Sequence, residues 1–153
     1  MKTEIENSKN LEYSMKEMNT YKICLILGLI IQFAFLFAYK KIRDKKVYWS
    51  LLSISTFLAL TGFFVRNLPE FKHFEINASV FFYLPLFSLL YLGLFRLLFQ
   101  EIFGEEPIMA QAYSLSWDQG EYRRLHFGDI LFTSFTILSP FFTVMLINKL
   151  FYA

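Results

Sequence analysis

Five cations and one anion crowd into seven consecutive positions, Lys40-Lys41-Ile42-Arg43-Asp44-Lys45-Lys46, with an apolar run of bilayer-crossing length on either side. A connection this short and this basic implies two antiparallel membrane helices whose cations gather at one surface. Lys and Arg close to a span are retained on the cytoplasmic side, so the cluster orients both neighbours and, by alternation, everything after them.

Further apolar runs follow, and the spans are expected at about 21–39, 47–65, 78–99 and 130–147, after a polar tail over residues 1–20. The chain is 56% hydrophobic with a mean hydropathy of +0.41, whereas soluble domains run to about 45–50% apolar. The expected fold is therefore an all-α integral membrane protein. Four transmembrane helices form a compact bundle over 21–153, with a short amphipathic or irregular juxtamembrane segment between spans three and four. A formal charge of +2 is too small to imply nucleic acid. The expected partners are the bilayer and its anionic headgroups near Lys40, Lys41, Arg43, Lys45 and Lys46, together with a protein partner or a second copy. The lone Cys24 excludes an intrachain disulfide and reads as packing.

In the tail, Leu11, Met15 and Met18 fall at i, i+4 and i+7, which admits a short surface helix as readily as an unstructured end. No basic start leading into an apolar core and a cleavage site marks it as a signal peptide. Tyr21 and Tyr39 bound the first span, and Tyr48-Trp49 opens the second as an interfacial pair. Within that second span, Ser50, Ser53 and Thr61 share one side, while Ser55 and Ala59 make a small-xxx-small pair suited to close helix approach. Asn77 is placed to cap span three, Pro85 to kink it and Gly104 to end its helical continuation. Asp129 is placed to cap span four, where Thr133, Thr136, Ser139, Pro140 and Thr143 form one inward stripe.

Candidate chemistry is sparse. Arg96 is the one charge well inside an apolar run, and near the cytoplasmic end of its span it is expected to snorkel towards phosphates. His73 has no second His or Cys at ligand spacing and reads as a loop histidine. Glu105/Glu106 and the loose set Asp118, Glu121, His126 and Asp129 admit acid–base or metal-assisted work on a headgroup. Each has a simpler role as a cap, a turn residue or a solvated charge. With no phosphate loop, serine elbow or zinc motif, no cofactor, metal or catalytic residue is assigned, and the enzyme question leans to no. Gln32 and the prolines are the only midplane pointers to transport.

The segment from Trp117 to Asp129 combines interfacial anchors, turns, Arg123-Arg124 and the titratable His126. The candidate headgroup or partner-docking residues are accordingly Arg96, Trp117, Arg123, Arg124, His126 and Asp129. The chain resembles the broad run of small four-span bacterial inner-membrane proteins, and its Phe, Ile, Lys, Asn and Tyr content looks like the product of an AT-rich genome. That resemblance implies a plasma-membrane location, and the density of cations in the basic loop places both ends of the sequence outside. The function expected is association, as an accessory or assembly subunit or a homo-oligomer. The alternative is an enzyme or carrier acting on a lipid-like substrate at the cytoplasmic interface.

Overall fold

The computed structural model describes residues 2–72, 76–109 and 127–152, with side chains from Met15 onward apart from 16 and 17. Helix α1 (Lys2–Phe37) has no proline and no glycine before Gly28 to interrupt it, so the polar tail is helical and continuous with the first apolar run. A one-residue turn at Ala38 leads to the short α2 (Tyr39–Ile42), and α3 (Lys45–Val65) follows after Arg43 and Asp44. The basic connection is thus almost wholly helical. Asp44 reverses the chain by accepting from the backbone N–H groups of Lys46 at 2.7 Å and Val47 at 3.4 Å, an N-cap that starts α3.

Two 3-10 segments, Pro69–Phe71 and Ala78–Tyr83, precede α4 (Leu84–Phe103), and α5 is Phe127–Phe151. Four stretches are long and apolar enough to cross a membrane: Met18–Phe37, Lys45–Val65, Ala78–Phe103 and Phe127–Phe151. Among the described residues there is no strand, only a single antiparallel bridge between Lys72 and Asn77.

Pro85 does not kink the third span as expected. The chain enters as a 3-10 segment capped by the Asn77 side chain, which accepts from the Ser79 N–H at 3.0 Å, and becomes α-helical at Leu84 with Pro85 in the first turn. There the missing N–H removes no helical hydrogen bond. Gly104 ends α4 as expected, at a φ of 71° with its N–H on the Gln100 carbonyl at 2.9 Å.

The third span is the hub, half buried where Lys45–Val65 is only 17% buried. Its 3-10 portion sits between α1 and α3, and α4 packs along α5. The inward stripe of α5 is present in part: Thr133, Thr136 and Pro140 are buried, Ser139 and Thr143 are half-buried, Val144 joins the buried face, and Thr136 donates to the Phe132 carbonyl at 2.7 Å. From α1, the buried Gln32 donates to the Ile137 carbonyl at 2.8 Å, one residue from the carbonyl whose helical donor Pro140 removes.

On α3, Ser55 and Ala59 are buried as expected, and Gly62 extends the same stripe. Ser53 and Thr61 lie outside the packed face and donate to the carbonyls of Trp49 and Phe57. Two tyrosines expected at the membrane surface turn inwards instead. Tyr39 is 4% exposed, and the Tyr48 hydroxyl reaches the Leu89 carbonyl at 3.2 Å across the space left by Gly93.

The glycines give a discriminating prediction. A Cβ at Gly62 would lie 2.7 Å from the Phe82 Cβ and 2.9 Å from the Ser79 carbonyl oxygen, whereas one at Gly28 meets nothing closer than 3.6 Å. Gly62→Ala should therefore destabilise the bundle by about 1–3 kcal/mol, while Gly28→Ala is neutral or mildly stabilising. Thermal unfolding of both variants in one detergent checks this. Equal midpoints would show that the α3 contact is not close.

Candidate functional site

Polar side chains from α2, the turn after it, α4 and α5 converge where the chain leaves α4. Gly104 turns the backbone back on itself, so Glu106 returns alongside Arg96 and Gln100, residues one helical turn apart on α4. Arg96 grips the Glu106 carboxylate with both arms of its guanidinium, Nε to Oε2 at 2.8 Å and Nη2 to Oε1 at 2.6 Å. This fork is the strong form of the charge-assisted hydrogen bond. Gln100 donates to the same Oε1, and the Arg43 Nε stands 3.9 Å from Oε2. Arg96 also reaches the Arg43 carbonyl at 3.4 Å, tying the basic turn to α4.

The next residues are fastened in the same manner. Tyr39 donates its hydroxyl hydrogen to the Pro107 carbonyl at 3.1 Å, and Asp129 accepts from the Ile108 N–H at 2.8 Å. Pro107, Ile108 and Met109 are buried, with Met109 joining Leu36, Tyr39, Ile42, Leu89, Leu92, Phe99 and Phe132 in one cluster. Ile42, the apolar residue amid the five cations, is wholly buried there and anchors the turn to the core.

Two expectations are corrected. Arg96 does not reach outwards for phosphate, because Glu106 satisfies it within the chain; its side chain retains 26% exposure. Asp129 does not cap α5, which begins two residues earlier at Phe127; it is fully buried and holds the extended segment instead. Its own carbonyl accepts from Thr133 at 2.8 Å. Trp117, Arg123, Arg124 and His126 lie outside the described residues, as do His73, Asp118 and Glu121. The structure therefore joins Arg96 and Asp129 through the segment 106–108 and adds Glu106, Gln100, Arg43 and Tyr39. The signal for Glu106 was in the sequence: a helix-ending glycine between a span-embedded Arg and an acid two residues past the stop.

Beside this network, α4 and α5 leave an apolar groove of about 330 Å³ lined by Phe95, Phe99, Phe103, Leu131 and Phe135. A smaller one of about 100 Å³ lies between α1 and α3, where Cys24 and Gly28 face Phe81 and Pro85. Among the described residues no group of three His, Cys, Asp or Glu is arranged to hold a metal. Comparison with known proteins finds no matching family model, no matching curated protein and no matching solved structure.

The hydrogen bonds from Arg96 hold the Glu106 carboxyl below its ordinary value, against the opposing pull of partial burial. Between the lowered and the ordinary pKa, folded Glu106 binds fewer protons than unfolded. Its contribution is thus complete above the ordinary value of 4.5 and is lost as pH falls through the lowered one. Glu106→Gln should cost about 1–3 kcal/mol near neutral pH. It should also flatten the acid-side fall in thermal midpoint that the native protein shows. Parallel acid limbs in the two proteins would mean that the fork does not govern stability in acid.

Proposed function

We propose that this chain is a four-span integral protein of a bacterial plasma membrane that works by association, as an accessory or assembly subunit or as a homo-oligomer. The observation that carries the reading is the length of α1. Its 36 residues extend about 54 Å at 1.5 Å per residue, well beyond the roughly 30 Å of bilayer hydrocarbon. The excess lies before Met18, where the apolar span begins. Met15 and Met18 on this arm are 56% and 42% exposed, and the sequence places Leu11 on the same edge. An apolar edge that continues past the span is left in water unless another helix covers it.

In a mild detergent the native protein should elute with a stoichiometric partner, either a second copy or another chain. Met15→Lys with Met18→Lys should reduce its retention about tenfold or more, since two charges would have to be buried in the contact. A monomer carrying only lipid, alike in both forms, would transfer support to the second reading, an enzyme or carrier for a lipid-like substrate. That reading draws on the apolar groove between α4 and α5 beside a partly exposed ion pair. On either reading, Trp117, Arg123, Arg124 and His126 are proposed to meet the partner or headgroup. Arg96 and Asp129 support that surface by holding residues 106–108.

The proposed orientation puts the basic turn in the cytoplasm and both ends of the sequence outside, on the density of cations in one short turn. Lys41 and Lys72 are both exposed and serve as reporters. In a Cys24→Ala background, Lys72→Cys should react with a membrane-impermeant thiol reagent in intact cells and Lys41→Cys only after lysis. The reverse pattern overturns the orientation.

A further inference from the structure

We infer that residues 105–109 form a strap that swings away from the bundle about Gly104 while the four spans stay packed, with the Arg96–Glu106 fork as its latch. The inference rests on contacts within the chain and holds whichever way the spans face. Among the described residues, no backbone-to-backbone hydrogen bond joins 105–109 to any helix. Side chains fasten the strap instead. Arg96 and Gln100 hold the Glu106 carboxylate, Tyr39 donates to the Pro107 carbonyl, and Asp129 accepts from the Ile108 N–H. These anchors stand on α2, α4 and α5, while α4 packs directly against α1, α3 and α5. Lifting the strap therefore leaves the contacts between the helices in place.

Hinge, latch and seat differ in how water reaches them. Gly104 sits at a φ of 71° with open space where a Cβ would be, and glycine changes its backbone angles there at little steric cost. The fork is partly exposed, its two side chains at 26% and 31%, so water competes for its hydrogen bonds whenever the pair loosens. Past the fork the strap turns inwards. Pro107, Ile108 and Met109 are buried, with Met109 in the cluster that holds Leu36, Tyr39, Phe99 and Phe132. A segment tied by side chains rather than by a backbone ladder is of the kind that opens locally before the fold does. Opening frees the Arg96 and Gln100 donors and uncovers the apolar cluster beside them, so the strap controls access to that end of the bundle.

Thiol labelling separates local opening from unfolding. In a Cys24→Ala background, Met109→Cys reports on the strap. Val144→Cys reports on the other apolar cluster, where Val144 is buried with Val80, Phe81 and Leu84. The full chain is held in one mild detergent and treated with a water-soluble thiol reagent. The thiol at position 109 should react about tenfold faster than that at 144, or more, and its rate should stay flat in low denaturant while the rate at 144 climbs. Gly62→Ala weakens a contact present with the strap open or closed, so it should speed labelling at 144 and leave 109 unchanged. Arg96→Gln or Glu106→Gln should speed labelling at 109 by about ten- to a hundredfold. The double variant should be no faster than the faster of the two, because the fork acts as a pair.

Labelling at 109 and 144 with the same rate and the same denaturant dependence overturns the proposal, because the strap would then open only with the whole molecule. So does an equal response of both positions to Gly62→Ala. Unchanged labelling at 109 in the fork variants removes Arg96 and Glu106 as the latch and overturns the inference as stated. Arg96→Lys, which keeps the charge and loses the fork, takes the place of Arg96→Gln should the latter fail to fold. The reporter at 109 is common to every variant, so its own cost cancels from each comparison.

Discussion

Backbone that stops being helical beside an apolar phase has no water to satisfy it, and at three breaks among the described residues side chains supply the partners. Asp44 supplies the acceptor where α2 gives way to α3. At the opposite end, the Asn77 side chain caps the 3-10 segment and donates to the Arg66 carbonyl at 2.8 Å, and its backbone N–H donates to Asn148 Oδ1 at 2.9 Å. Past Gly104, Tyr39 and Asp129 satisfy a carbonyl and an N–H of the extended segment, while the Arg96–Glu106 fork fixes its start. The helices could drift along one another on apolar contacts alone. These clasps fix their register.

The charge distribution follows from the same constraint. An arginine one turn inside an apolar span is costly unless it snorkels or is paired. Here the chain brings a carboxylate back to it. The fork neutralises Arg96, and the Arg43 guanidinium draws the basic turn to the same carboxylate. The basic turn is therefore two structures in one sequence: Ile42 and Arg43 belong to the interior, and the lysines belong to the surface.

The span-sized features were legible in the residues because they depend on local pattern. The apolar runs, the Asn77 cap, the Gly104 stop, the Ser55/Ala59 approach and the threonine stripe of α5 each follow from spacing and hydrogen-bonding chemistry within one helix. What escaped depends on which groups meet across the fold. Tyr39 and Tyr48 carry the composition of interfacial anchors, yet each finds a carbonyl on another element. Asp129 looks like a helix cap because Asp before an apolar run normally is one, and only the buried segment beside it gives it a different partner. Arg96 was visible as an anomaly, but its partner becomes evident only once the chain is seen to double back at Gly104. The proline at position 85 marked the right place but the wrong event, since a 3-10 entry followed by an α-helix looks in sequence like one kinked helix.

The wedge formed by Ala78–Tyr83 has a consequence for the order of assembly. Helices α1 and α3 are neighbours in sequence, yet what fills the space between them comes from the third span. During synthesis of a membrane protein the first two helices would enter the bilayer together and wait, with the small-residue groove of Ser55, Ala59 and Gly62 occupied by lipid. Arrival of the third span would then displace that lipid, with Phe82 and Ser79 seated closely against Gly62. The mutual alignment of α1, α3 and the third span would thus be set before α5 is made.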